Sequence, residues 1–229
     1  MMKIISEIGI NHNGDFRRIE ELIRQSSLGG ADYAKFQLYD SIRVFGDESR
    51  KKNEFTFAQV KDIKDMCDHY NIEFFASVFD EEKLDWCEDL NVSLYKIASR
   101  TVVKETELCK RIINLGKLTY VSLGFWEHDE LPFNNQNVLY LNCVSKYPTS
   151  FKNLVKFNYE NRVVGLSDHS YGISYALHNI SLGARVIEKH FTLDKSSDGN
   201  DHIGSMNFEE LKQLKEYGSQ IESIRNYIS

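Results

Sequence analysis

Two histidines occupy matching settings, His169 in VVGLSDHS and His190 in ARVIEKHF, 21 positions apart with YGISYALHNISLGA between them. Each closes a short run of aliphatic and β-branched residues, and the segment between has helical spacing. A strand–helix–strand unit that ends both strands in histidine brings two imidazoles to one end of a sheet. Neutral imidazoles suit a divalent metal, and a metal held there polarises a carbonyl. Taken singly, one histidine reads as a cap and the other as core. The pairing at equivalent strand ends favours the metal.

The elements that must carry these residues alternate along the whole chain. Apolar runs over residues 3–9, 32–38, 72–78, 93–99, 117–123, 137–144, 162–167 and 185–191 read as eight strands. Amphipathic segments over 15–29, 56–70, 80–90, 103–115, 172–183 and 207–225 read as helices. Alternation of this kind implies parallel strands with right-handed crossovers, and eight units predict an α/β (β/α)8 barrel. The stretch GFWEHDELPFNNQ between the fifth and sixth strands lacks a helical period, so helix five is expected to be reduced or missing. The sixth connection, KYPTSFKNLVKFNYEN, is also short for a full helix.

In such a barrel the site lies at the C-terminal strand ends. Those ends are polar around the ring: Glu7, Asn11, His12 and Asn13; Lys35 and Gln37; Ser77; Lys96 and Ser99; Ser122; Asn142, Ser145, Lys146 and Tyr147; Ser167, Asp168 and His169; Glu188 and His190. Lys35 with Gln37, and Glu188 with His190, are two apart and share a face. Lysines inside strands need a partner, and with serine hydroxyls they form an oxyanion or phosphate site. Glu7 and Glu188 read equally as acid, base or substrate anchors and as neutralisers of the two lysines. The segment 194–206, DKSSDGNDHIGSM, reads as a loop able to close over a polar substrate, with Asp201 as hydroxyl acceptor.

Composition bounds the function. The 229 residues are 41% hydrophobic and 27% charged, with net charge −6, which supports a real core. Mean hydropathy is −0.43, and no apolar run nears the roughly 18 residues a membrane helix needs. The acidic balance, without a basic tail, argues against nucleic acid as a partner. Cys67, Cys87, Cys109 and Cys143 are widely spaced and read as reduced, packed as small hydrophobes in a cytoplasmic protein. No Walker loop or GxGxxG is present, so a nucleotide is not indicated.

Taken together, EIGINHNG, AKFQ, YKIAS, CVSKYPT, GLSDHS and EKHFTLD…GNDH…SM resemble the sialic acid synthase family, which includes the N-acetylneuraminate, legionaminate, pseudaminate and spore-coat polysaccharide synthases. The resemblance runs from residue 5 to residue 206 in family order. It implies a barrel enzyme that condenses phosphoenolpyruvate with an N-acylated amino-sugar aldehyde, giving a 3-deoxy-2-keto sugar acid and phosphate. It implies a divalent metal, Mn2+ first with Mg2+ or Co2+ as substitutes, on His169 and His190. Phosphoenolpyruvate would meet Lys35, Ser77, Lys96, Ser99, Ser122, Ser145 and Ser167. The sugar would meet Glu7, Gln37, Tyr147 and Asp201, and Glu7, Lys96 and Glu188 would carry the catalytic steps.

Three departures qualify the expectation. The 229 residues read as one barrel domain, leaving none for the C-terminal antifreeze-like domain usual in the family, whose arginine reaches a partner's sugar site. The acid expected after YKIAS is replaced in Ser99-Arg100-Thr101, and Ser145 stands where the family has asparagine. A non-catalytic or partner-dependent barrel that binds a sugar or anion is therefore the alternative, working alone, as a homodimer or with a separate antifreeze-like chain. A Schiff-base aldolase is a third reading, weakened because the lysines are better explained by phosphate.

Overall fold

All eight apolar runs become strands in a computed structural model, which describes residues 1–228: β1 Lys3–Gly9, β2 Tyr33–Leu38, β3 Glu73–Val78, β4 Leu94–Ile97, β5 Leu118–Ser122, β6 Val138–Cys143, β7 Val163–Asp168 and β8 Val186–His190. They pair in chain order, all parallel, and β8 closes on β1. The expected (β/α)8 barrel is the observed fold. Its helices are α1 Ile19–Leu28, α2 Ser41–Phe45, α3 Phe57–His69, α4 Glu81–Asp89, α5 Ser99–Lys104, α6 Thr106–Asn114, α7 Ser174–Ser181, α8 Asn200–Gly204 and α9 Phe208–Ile228. Among the described residues no helix is long and apolar enough to cross a membrane.

No helix intervenes between β5 and β6 among the described residues, and β6 reaches β7 through a single 3-10 turn, Phe151–Asn153. Helix five is missing as expected, and helix six is reduced with it. Trp126, Leu131 and Phe133 pack against the core where helix five would lie. The Tyr140 hydroxyl fixes that strap, donating to Phe133 O at 2.6 Å and accepting from Phe133 N at 3.0 Å.

Three local expectations are corrected. The fourth strand stops at Ile97, where its register with β5 ends, and Ser99 opens α5 instead of closing a strand. The helical segment 103–115 is two helices, because the backbone leaves the helical region at Glu105. The 194–206 segment contains the helical turn α8.

The strands are buried on both faces, as a parallel sheet inside a ring of helices requires. Outward residues such as Ile4, Phe36, Ala76, Ile97, Val121 and Ile187 pack under the helices. The inward column is layered. Ile5, Tyr33, Phe75, Leu94, Tyr120, Leu141 and Val186 plug the lower barrel. Two residues further along the strands, Glu7, Lys35, Ser77, Lys96, Ser122, Cys143 and Glu188 form a polar layer on that plug.

Candidate functional site

The polar layer and the strand ends above it enclose a pocket of about 60 Å³. Its wall holds Glu7, Lys35, Gln37, Ser77, Lys96, Ser99, Ser122, Tyr147, Ser167, His169, Glu188 and His190. Twelve of the fourteen residues expected from sequence therefore meet in one place. Asp201 lines a second, smaller cavity with Tyr147, His169 and His190, residues that also bound the first. Ser145 is off the wall: its hydroxyl lies 3.9 Å from Cys143 Sγ, against Gly124.

Alternation along the strands explains which side chains arrive. Residues two apart on β1, β2 and β8 point inward together, so the pairs Ile5 and Glu7, Lys35 and Gln37, and Glu188 and His190 stack up the barrel interior. Their odd-offset neighbours face the helices. Asp168 is one of these. Its carboxylate pairs with Lys189 at 3.0 Å, both side chains fully buried, and accepts from Ser170 N at 2.8 Å. Asn142 reaches outward to Asn158 O, Asn11 ties Phe191 O to Ser205 Oγ, and His12 stacks on Phe55 at 4.7 Å. These polar strand ends brace the barrel and do not line its pocket. Lys146 is exposed and bonds Asn153.

Two glycines let the walls close. Gly9 has φ 52°, a left-handed conformation that costs glycine little, and a Cβ there would lie 2.9 Å from Glu7 Oε1. A Cβ on Gly124, after β5, would lie 2.1 Å from Ser145 Oγ and 2.9 Å from Cys143 Sγ.

The buried charges form one network. Lys35 Nζ lies 2.5 Å from Glu7 Oε2 and 3.6 Å from Glu188 Oε2, and donates to Ser77 Oγ at 3.2 Å. Lys96 Nζ donates to Ser122 Oγ at 2.7 Å and lies 3.6 Å from Glu188 Oε1, which accepts from the Ser167 hydroxyl at 2.7 Å. Gln37 Nε2 donates to Glu7 Oε1 at 2.8 Å. Burial works against the charge on Lys35, but Glu188 and Glu7 outweigh it and its pKa rises. Lys96 moves the other way: burial lowers it, Glu188 opposes, and neighbouring Lys35 adds to the fall. Burial alone would raise Glu188, yet Lys35 and Lys96 outweigh it and hold its carboxyl below the usual range. Two cations and two carboxylates thus balance, with serine hydroxyls turned toward them.

The histidines stand at the ends of β7 and β8, with His190 one inward step beyond Glu188. Their ring centroids are 5.7 Å apart, and the Tyr147 ring lies 4.0 Å from that of His169. His169 Nδ1 is 3.1 Å from Val144 O; a carbonyl only accepts, so the proton sits on Nδ1 and Nε2 is left free. Burial, then the neighbouring His190, push the His169 pKa down to about 3, so the ring is neutral. His190 Nδ1 is buried with no hydrogen-bond partner. The neutral His169 ring with its free Nε2, beside the unpartnered Nδ1 of His190, offers nitrogen donors of the kind a divalent cation takes. Two protein ligands would leave the other positions to water and substrate.

Sequence reasoning missed Phe79 and Cys143 on the wall. Cys67, Cys87 and Cys109 are buried free thiols, as expected. Cys143 is corrected: it is not core packing but faces the pocket, 3.7 Å from His169 Nδ1. Its place at the inward end of β6, within CVSKYPT, was the available signal.

A closed parallel barrel with a buried lysine–carboxylate–serine network and a histidine pair at its C-terminal mouth has the layout of a barrel enzyme. Residues 22–228 match the family model described as NeuB family, and the chain belongs to that family. It is 32% identical over 92% of its length to the N,N'-diacetyllegionaminic acid synthase of Campylobacter jejuni, spanning 73% of that protein. It is 30% identical over 92% of its length to the N-acetylneuraminate-9-phosphate synthase of Drosophila melanogaster, spanning 65% of that protein. The fold matches the crystal structure of the sialic acid synthetase of Leptospira borgpetersenii in complex with citrate, with TM-score 0.89 and 28% identity over 97% of this chain and 84% of that one.

Proposed function

We propose that the chain condenses phosphoenolpyruvate with an N-acylated amino-sugar aldehyde, with water, to give a 3-deoxy-2-keto sugar acid and phosphate. The observation that carries this reading is the burial of Lys35, Lys96 and a set of serine hydroxyls in the pocket that also holds both histidines. Lys35 and Lys96, with Ser77, Ser99, Ser122 and Ser167, bind the phosphoryl and carboxylate groups by charge and directed donors, preorganised in a water-poor site. Ser145 supports this set from behind Cys143. Glu7, Gln37, Tyr147 and Asp201 face the sugar. His169 and His190 would hold a divalent cation, Mn2+ first, which when bound supplies Lewis acidity toward the sugar carbonyl.

The enol carbon C3 attacks the aldehyde carbon, whose oxygen takes a proton and becomes a hydroxyl. Water adds at C2 and gives up a proton, and the C–O bond to phosphate then breaks. Glu7 and Glu188 are the carboxylates within reach of these protons, and Lys96, easier to deprotonate than an ordinary lysine, serves the departing phosphate. Free cysteines support a reducing, cytoplasmic setting.

The test is phosphate release from phosphoenolpyruvate with Mn2+ and a panel of N-acylated hexosamines. Release with at least one sugar, abolished in His169→Ala and His190→Ala, is expected. No release with any sugar refutes the reading. One observation favours a partner-dependent version: Thr101 stands where the family's acid is expected, its hydroxyl buried without a partner. Turnover that appears only on adding an antifreeze-like chain, or on forming a homodimer, would support it.

A further inference from the structure

The segment between β8 and α9 folds back over the site. A parallel bridge between Phe191 and Met206 closes its base, with Thr192 N donating to Met206 O at 3.0 Å and Met206 N to His190 O at 2.8 Å. Residues 194–200 are mostly exposed, yet α8 presses on the mouth. Asp201 shares a cavity with Tyr147, His169 and His190, and a Cβ on Gly204 would lie 3.3 Å from Pro148 Cβ and 3.6 Å from His169 O. A carboxylate carried on a loop keeps one position only if hydrogen bonds and packing fix the loop beside it.

Those bonds come from the loop after β1. Asn11 Nδ2 donates to Ser205 Oγ at 2.9 Å, and the Ser205 hydroxyl donates to Asp201 O at 2.6 Å. Asn13 has φ 55°, a left-handed conformation that asparagine tolerates. Its Nδ2 donates to Asp198 O at 3.1 Å, which leaves Oδ1 to accept from His202 Nε2 at 3.2 Å. Burial lowers the His202 pKa, so the ring is neutral, and with its proton on Nε2 the other nitrogen accepts from the Thr192 hydroxyl at 2.7 Å. His202 is 1% exposed, and a Cβ on Gly199 would lie 3.1 Å from its Cδ2, so the chain closes directly over the ring. The loops after β1 and β8 thus grip both nitrogens of the residue next to Asp201.

We propose that Asn13 and His202 form a latch that positions Asp201 for the acceptor sugar. Neither lines the pocket or the smaller cavity, so both act through Asp201 and not by touching substrate. The proposal rests on the synthase reading above and adds two positioning residues to its sugar side. Phosphoenolpyruvate binding is independent of the latch, because Lys35 and Lys96 are fixed within β2 and β4.

Three substitutions separate the contributions. His202→Phe keeps the bulk of a ring and removes both of its hydrogen bonds. Asn13→Gly keeps the left-handed backbone and removes the amide, whereas Asn13→Asp retains an oxygen that accepts from His202. Hydrogen exchange of the whole chain without substrate, read by mass spectrometry, should quicken at least about fivefold over residues 199–206 in His202→Phe and Asn13→Gly, and much less in Asn13→Asp. In the phosphate-release assay the same two variants should raise KM for the N-acylated hexosamine about five- to tenfold, with KM for phosphoenolpyruvate within about twofold of wild type. In an Asp201→Asn background, His202→Phe should add nothing further to the sugar KM. A mere brace would instead raise both KM values together and would act equally in that background. Unchanged exchange, KM values that rise together, or an additive effect with Asp201→Asn overturns the proposal. Wild-type protein that releases no phosphate with any sugar overturns the synthase reading, and the exchange rates still decide whether the latch exists.

Discussion

Replacing Glu188 with glutamine asks what the buried carboxylates do. The change keeps shape, and the amide oxygen can still accept from the Ser167 hydroxyl, now 2.7 Å from Glu188 Oε1. What is lost is charge: Lys35 and Lys96, each 3.6 Å from Glu188, are left with Glu7 alone. At an effective dielectric of about 20, each such pair is worth about 4–5 kcal/mol before desolvation. Leaving a buried charge unpaired costs about 3–5 kcal/mol net once desolvation is counted. For a chain of this size that corresponds to a fall in Tm on the order of 10 °C. Lys96, already lowered by burial, loses its main opposing influence and falls further. The unfolded lysine binds a proton that the folded one resists, so stability rises with pH across the window below the ordinary lysine value of 10.5. The deficit of Glu188→Gln should therefore be largest near neutrality and shrink in alkali. Phosphoenolpyruvate returns the missing negative charge, so it should raise the variant's Tm by more than the wild type's at equal concentration. If Glu188 also moves a proton, kcat falls by about 10²-fold or more. Scanning calorimetry over pH, with and without phosphoenolpyruvate, reads all but the last. A Tm within about 1 °C of wild type, with equal ligand-induced gains, would refute the balanced-charge account.

Three further outcomes follow from the same geometry. Lys189→Met strands the fully buried Asp168 carboxylate and should cost about 3–5 kcal/mol, while Lys189→Met with Asp168→Leu should recover much of it by chemical denaturation. Gly9→Ala forces an L side chain into φ 52° and toward Glu7 Oε1; about 1 kcal/mol of lost stability should accompany a much larger loss of kcat, because the Glu7–Lys35 contact is displaced. Phe75→Ala opens the apolar plug beneath the polar layer and should lower stability by about 3–5 kcal/mol, read as a fall in the denaturant midpoint.

The barrel was legible because its signal is periodic and repeated. Eight apolar runs alternating with helical segments admit few topologies, and the helixless GFWEHDELPFNNQ segment was visible as a break in the helical period. The inward pairs Lys35 with Gln37 and Glu188 with His190 were legible for the same reason, since a strand's period of two needs no tertiary information.

Other features had no such local signal. Ser99 and α5, the break at Glu105 and the turn α8 depend on where ladder pairing ends, which the neighbouring strand decides. Polar strand ends looked alike in sequence, yet Asn142 and Asp168 turn outward while Cys143 and Ser167 turn inward; a one-residue offset reverses the face, and only the barrel's register sets that offset. Sequence alone determined a parallel barrel with lysines, serines and two histidines at its mouth. Tertiary structure decided that Lys35, Lys96, Glu7 and Glu188 share one balanced pocket, and that Arg43 lines a separate cavity with Arg100 and Lys104, which are distant from it in the chain. Those are distances between residues on different strands and loops, and closure of the barrel is what fixes them.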